Sequence, residues 1–417
     1  MGDRSFSRAG FATAQNTYVP PSGSSTFAGE ERVRRTGKLD PLVDPAEYGV
    51  TRRSLIRFEE ITAGPYKGMW RLTIGPSKPV EHRYDTTGSM GDNVERVLYV
   101  LPDSYELTAE MLPGFDLHLA LGIFGDCADD FVLCRPQYEM EAEKIVHQLT
   151  LMNPEHGGAG NGGEDPHYGI FGGAYLVAAY ANRIGLMRYD FTTTDEPARH
   201  KLRENQLIRV FGPDVFDKVA ANGHNIDRND LPSTKEVVQD LLQQAHAFVF
   251  VVGNRGTTRK FWTDVYGPER VIEVANVDLL AYLQAVVVGL TEGTFALDQV
   301  ADFLAEVQVP DYDSPEFYKL HRGGRLTSTI LEAAPRRGLT KDEIKAVCRS
   351  VANIPIGAEV PFRQAIKRLP QAGDIFKEKT DLWPTVCVED IDDGVLVTTG
   401  AGSDADASAD DGPNWQL

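Results

Sequence analysis

The sequence predicts an α/β protein: a doubly wound, mostly parallel sheet with helices on both faces, followed by a helical C-terminal extension. Three observations predict it. Strand-like and helix-like segments alternate from about Val80 to about Leu290, the order that builds a parallel sheet covered on both sides. Some strand candidates, Phe248–Val252 among them, are nearly continuous apolar runs, as strands buried on both faces require. Two aspartates, Asp85 and Asp195, each follow an extended segment directly, where open α/β sheets place their ligands.

Taken in order, residues 1–40 are rich in Ser, Gly, Ala and Arg, contain Pro20-Pro21, and read as a mobile, slightly basic arm. Residues 41–79 hold two short strand candidates, Ser54–Phe58 and Met69–Ile74, broken by Gly and Pro, and read as a small β-element. Residues 80–292 carry the alternation. Val80–Tyr84, Phe115–Phe124, Phe131–Cys134, Arg188–Thr194, Phe248–Val252 and Arg270–Val274 are extended in pattern. Asp92–Leu101, Gln137–Leu151, Tyr168–Ile184, Thr234–Ala245, Thr257–Tyr266 and Asp278–Leu290 have helical spacing. Residues 293–385 form the extension, with helical stretches at Leu297–Val307 and Lys341–Ala352. The tail, 386–417, carries eight carboxylates from Glu389 onward and no Lys or Arg, a composition that predicts disorder. One feature runs against the pattern. Val80-Glu81-His82-Arg83-Tyr84 and Arg188-Tyr189-Asp190 are polar for central strands, which predicts a solvated face or a covering by the N-terminal β-element.

Composition bounds the function. An apolar fraction of 42% with 25% charged residues is that of an ordinary globular protein. The net charge of 42 − 61 = −19 argues against nucleic acid as a partner. Cys127, Cys134, Cys348 and Cys387 form no Cys-x-x-Cys and no zinc-finger spacing, and read as reduced thiols. Met1–Gly29 lacks the apolar core of a signal peptide, and the longest apolar runs are too short to span a bilayer. The expectation is a cytoplasmic protein with no membrane partner.

The chemistry concentrates at Tyr84-Asp85-Thr86-Thr87-Gly88-Ser89-Met90-Gly91. Asp85, Thr87 and Ser89 alternate, so an extended backbone points their oxygens the same way. A carboxylate and two hydroxyls beyond a strand end form a hard-oxygen half-shell, suited to Mg²⁺ or Ca²⁺ rather than zinc. The same residues also fit a helix start, with Ser89 as its cap. Two downstream features favour the metal. The loop His156–Pro166 has five glycines and so can approach a ligand closely; it ends in Glu164-Asp165, either of which can supply a carboxylate. Asp165 before Pro166 can instead cap the next helix. Asp195 follows Thr192-Thr193-Thr194 and precedes Glu196-Pro197, so it can serve the metal or cap a helix.

Asp85-Thr86-Thr87-Gly88-Ser89-Met90 resembles the metal-ion-dependent adhesion site of von Willebrand factor A domains, and the likeness runs from about Val80 to about Leu290. The resemblance implies a metal site of Asp85, Thr87, Ser89 and Asp195, with Glu164 as the loop carboxylate. It implies Mg²⁺, or Ca²⁺ or Mn²⁺, with an open position for an acidic side chain of a protein partner. It implies a scaffold or adaptor in a multiprotein assembly, in some cases beside an AAA+ ATPase. Two other functions fit the residues: a metal-dependent hydrolase or phosphotransferase using Asp85, and a metal-free assembly component. No Gly-x-Ser-x-Gly elbow or His-Glu-x-x-His supports an enzyme.

Overall fold

The structure, a computed structural model, describes residues 27–48, 57–74, 77–91, 93–113, 115–127, 131–154, 164–179, 182, 186–253, 256–321, 326, 328–355 and 373–378. In chain order the strands are β1 (Arg57–Glu60), β2 (Trp70–Ile74), β3 (Ser77–Asp85), β4 (Asp116–Phe124), β5 (Leu133–Cys134) and β6 (Arg188–Thr194). They continue with β7 (Ala245–Val252), β8 (Val271–Val274), β9 (Gln308–Pro310), β10 (Arg336–Gly338) and β11 (Ile375–Phe376). The helices before β7 are α1 (Ala28–Thr36), α2 (Pro45–Tyr48), α3 (Asn93–Met111), α4 (Ala142–Thr150), α5 (Pro166–Tyr175), α6 (Glu204–Phe211), α7 (Val215–Ala221) and α8 (Thr234–Leu242). After it come α9 (Gly256–Tyr266), α10 (Leu280–Glu292), α11 (Val300–Ala305), α12 (Pro315–Leu320), α13 (Ser328–Ala333) and α14 (Lys341–Val351).

The predicted fold class is the one observed. A six-stranded sheet runs β5-β4-β3-β6-β7-β8, parallel except for the edge strand β5. Strand order reverses between β3 and β6, which makes their carboxyl ends the topological switch point. On one face Val80 and Tyr84 of β3 and Phe191, Phe248 and Phe250 pack with α3 and α10. On the other, Val249 and Val251 pack with α5, α8 and α9. Edge strand β8 is shielded by the extension: Ser350 of α14 accepts from the Glu273 N–H at 2.8 Å.

The polar strands are neither solvated nor covered by the β-element. Every residue of β3 and β6 is buried, and their charges meet each other. Glu81 accepts from Arg135 Nε and Nη2, both at 2.7 Å, and from Tyr138 Oη at 3.1 Å. Arg83 forks onto Asp190 through Nη1, at 3.0 Å, and Nη2, while Nη1 also lies 3.0 Å from Glu81. Burial alone would raise the Glu81 carboxyl, but Arg135 and Arg83 hold it well below the usual carboxylate range. Helix α5 closes over this layer through glycines: a Cβ on Gly173 would sit 2.7 Å from Asp190 Oδ2, and one on Gly169 2.5 Å from Arg83 Cδ.

The N-terminal and C-terminal parts differ from the sequence reading where packing intervenes. Residues 27–40, read as part of a mobile arm, hold α1 and bury Phe27 and Leu39, because apolar side chains there reach the main core. Residues 1–26 lie outside the described residues, as do 379–417. The extension is not purely helical. Its β9 and β10 pair antiparallel, and β11 joins β2 of the N-terminal β-element in a three-stranded sheet, β1-β2-β11. Phe317, Leu326, Leu331 and Ala334 of the extension pack on Tyr99 and Val100 of α3. Among the described residues no helix is long and apolar enough to cross a membrane.

Candidate metal centre at the switch point

The site grows from the end of β3. Asp85 is its last residue, and the chain then leaves extended geometry in a turn: Met90 N–H bonds to Thr87 O at 3.0 Å and Gly91 N–H to Gly88 O at 3.2 Å. Buried Met90 anchors that turn in the core. Convergence through a turn corrects the alternation argument. Four residues of strand would separate Asp85 and Ser89 by about 13 Å, too far to share one ion. Thr86 fastens the loop base, with N–H and Oγ1 both 3.1 Å from the Phe124 carbonyl at the end of β4.

The turn brings the oxygens together. Thr87 donates from N, at 3.0 Å, and Oγ1, at 2.6 Å, to Asp85 Oδ1. Ser89 Oγ lies 3.2 Å from Thr87 Oγ1 and donates to Asp195 Oδ1 at 2.8 Å. Thr194, the last residue of β6, donates to Asp85 Oδ2 at 2.8 Å. Asp85, Thr87, Ser89 and Asp195 thus form one cluster spanning the two strands of the switch point. Neither helix-cap reading survives: Ser89 is bonded to Asp195, α3 starts only at Asn93, and the chain after Asp195 is not helical. The sequence reading gives Thr194 no role at the site. Its signal was available, since the residue ending β6 sits beside the one ending β3.

Asp85 is 1% exposed, and its carboxyl is pushed up to about 6 by burial, opposed by the Thr87 and Thr194 hydrogen bonds and reinforced by the Asp195 carboxylate. Ser89 and Gly88 are exposed, so the cluster opens to solvent on that side. The donor set is two carboxylates and three hydroxyls. Among the described residues no three His, Cys, Asp or Glu side chains are placed to hold an ion by themselves. A cation here would therefore depend on hydroxyls and water, a set that fits hard dications.

Glu164 is buried, and its N–H bonds to Pro197 O at 3.3 Å, two residues past Asp195. That bond, with its backbone bridge to Ala198, places Glu164 on the same rim. Asp165 is otherwise engaged: it pairs with Arg199, accepts the Cys127 N–H at 2.6 Å, and starts α5 without a side-chain cap bond. The glycines of the loop lie outside the described residues.

No family model matches the sequence, and no curated protein matches it. Solved structures do align with its central part. Proximal thread matrix protein 1 from the mussel byssus matches at 10% identity over 52% of this chain and 48% of that one, TM-score 0.33. Pilus adhesin SpaC from Lactobacillus rhamnosus GG matches at 12% over 56% and 33%, TM-score 0.34. A von Willebrand factor type A structure from Catenulispora acidiphila matches at 12% over 53% and 44%, TM-score 0.30. The chain spans less than half the length of these proteins. One structure of the mussel protein has zinc in its metal-ion-dependent adhesion site.

Proposed function

We propose that the chain is a divalent-cation-dependent protein-binding module. The observation that carries this is the hydrogen-bonded convergence of Asp85, Thr87, Ser89 and Asp195 at the switch point. Thr194 stands behind Asp85 and orients it. Two neighbouring carboxylates, one with a raised pKa, create a local demand for positive charge that a dication relieves. Mg²⁺ is the first choice, with Mn²⁺ and Ca²⁺ as substitutes, because all donors are oxygen. Such an ion keeps water ligands on its exposed side, and an acidic side chain of a partner can replace one of them. Glu164 is the proposed further carboxylate, acting through water. A multiprotein assembly is the setting this chemistry suits.

The test is calorimetric titration of the full chain with Mg²⁺, alongside Asp85→Ala. Saturable binding that weakens by at least about tenfold in the variant, or about 1.4 kcal/mol, supports the proposal. Identical behaviour of the two proteins, or no binding to either, refutes it.

A further inference from the structure

The rim that carries Asp195 continues into the most basic stretch near the site. Between Pro197 and Arg209 lie Arg199, Lys201, Arg203 and Arg209 against one acid, Glu204, in a chain whose net charge is −19. Its place is fixed by packing. Ala198 and Leu202 are buried, and Ala198 bridges Glu164. Arg199 is four residues from Asp195, so the two are within about 14 Å even if the chain is fully extended.

Arg199 is committed inward, paired with Asp165 and, at 3.3 Å, with Asp126, both buried. Glu204 is taken by Arg228, at 2.6 Å. Lys201 and Arg203 differ: both are exposed, and neither makes an ion pair among the described residues. Arg203 also lines a cavity of about 210 Å³, whose Arg199 is the one held by the Asp126 and Asp165 carboxylates of the same wall. Two exposed cations with no ion pair among the described residues, on the rim of a proposed metal site, complement an acidic peptide.

We propose that the segment Arg199–Arg203 is a second contact for the partner. It takes an acidic peptide segment whose leading carboxylate goes to the metal and whose next carboxylate falls on Lys201 and Arg203. This deepens the reading above and rests on it for the first carboxylate only. The contact is exposed, so it acts mainly on encounter rate and is screened by salt.

The test uses the full chain and a fluorescein-labelled peptide of Asp-Gly-Ser repeats, with its Asn-Gly-Ser counterpart, read by anisotropy in Mg²⁺ and in EDTA. The expected result is binding of the Asp peptide only, weakened by at least about tenfold, or about 1.4 kcal/mol, in Lys201→Glu/Arg203→Glu. The milder Lys201→Gln/Arg203→Gln falls between, both side chains being exposed and safe to change. Unchanged affinity in the reversal variant overturns the inference, as does equal binding of the Asn peptide. Displacement of the peptide by a single-stranded oligonucleotide overturns it in favour of nucleic acid. Tenfold tighter binding after changing Asp404, Asp406, Asp410 and Asp411 to Asn overturns it in favour of the chain's own tail. Binding that ignores EDTA but still needs Lys201 and Arg203 counts against the metal site and supports the segment.

Discussion

Strand β3 carries two groups of charges that meet opposite fates. In its middle, Glu81 and Arg83 face Arg135 and Asp190, and each acid meets a guanidinium. At its end, Asp85 meets hydroxyls and a second carboxylate, and makes no ion pair among the described residues. The first group is closed: its charges are answered within the protein, and α5 packs over it through glycine. The second is open: its oxygens are arranged toward exposed Ser89, and Asp85 makes no ion pair among the described residues. Burial of a charge is therefore no sign of function by itself; what distinguishes the rim is a buried carboxylate, Asp85, held by hydroxyls beside exposed Ser89.

The largest test of this contrast lies in the closed layer. Arg83→Met leaves buried acids short of a cation and should cost about 3 kcal/mol or more, measured by urea unfolding, with no special response to Mg²⁺. A cost below about 1 kcal/mol would break the comparison from that side. Next comes the open site, where the sign should invert. Asp85 titrates near 6 in the folded chain, above its unfolded value, so its contribution favours folding at low pH and is lost as pH rises through about 6. Without metal, Asp85→Asn should then stabilise the protein by roughly 1–3 kcal/mol at pH 8, by thermal or urea unfolding, while metal binding disappears. A destabilised apo variant would place Asp85 with the closed layer.

The same ionisation sharpens the comparison through pH. Metal needs the carboxylate, so Mg²⁺ affinity should fall by about tenfold per unit once pH drops below about 6, and flatten above about 7. Affinity independent of pH between 5 and 7 would count against Asp85 as a ligand. The smallest effect concerns the edge of the rim. Tyr312 donates to Asp278 Oδ1 at 2.9 Å, Arg96 bonds Asp278 Oδ2 at 2.5 Å, and the Arg96 guanidinium lies 4.5 Å from the Tyr312 ring centroid. Tyr312→Phe should cost about 1 kcal/mol and show as faster amide exchange around β9 and α12. No change would mean that this contact does not hold the extension on α3.

The fold class was legible because alternation and apolar runs report burial directly, and the runs that form β4 and β7 are largely apolar. Asp85 and Asp195 were legible as strand-end residues for the same reason. Three things were not. The polar middle of β3 makes sense only once Arg135 and Asp190 stand opposite it, and neither sequence distance announces that. The alternation after Asp85 suggests extended backbone, but a tight loop with two hydroxyls shows the same pattern. Strand β11 has two residues and gets its place from β2, some 300 residues earlier, so no local pattern marks it. Helix α6 has no counterpart among the expected segments, although Leu207, Val210 and Phe211 are spaced for one buried face.

The central claim is that two carboxylates on different strands, with the hydroxyls between them, hold one ion. Anomalous diffraction from crystals of the full chain soaked in Mn²⁺ tests it most directly. The account predicts a peak at about 2–2.5 Å from ligand oxygens of the Asp85–Ser89 turn, with Asp195 bound directly or through one water. A peak at another surface, or none at this rim under saturating Mn²⁺, would contradict it.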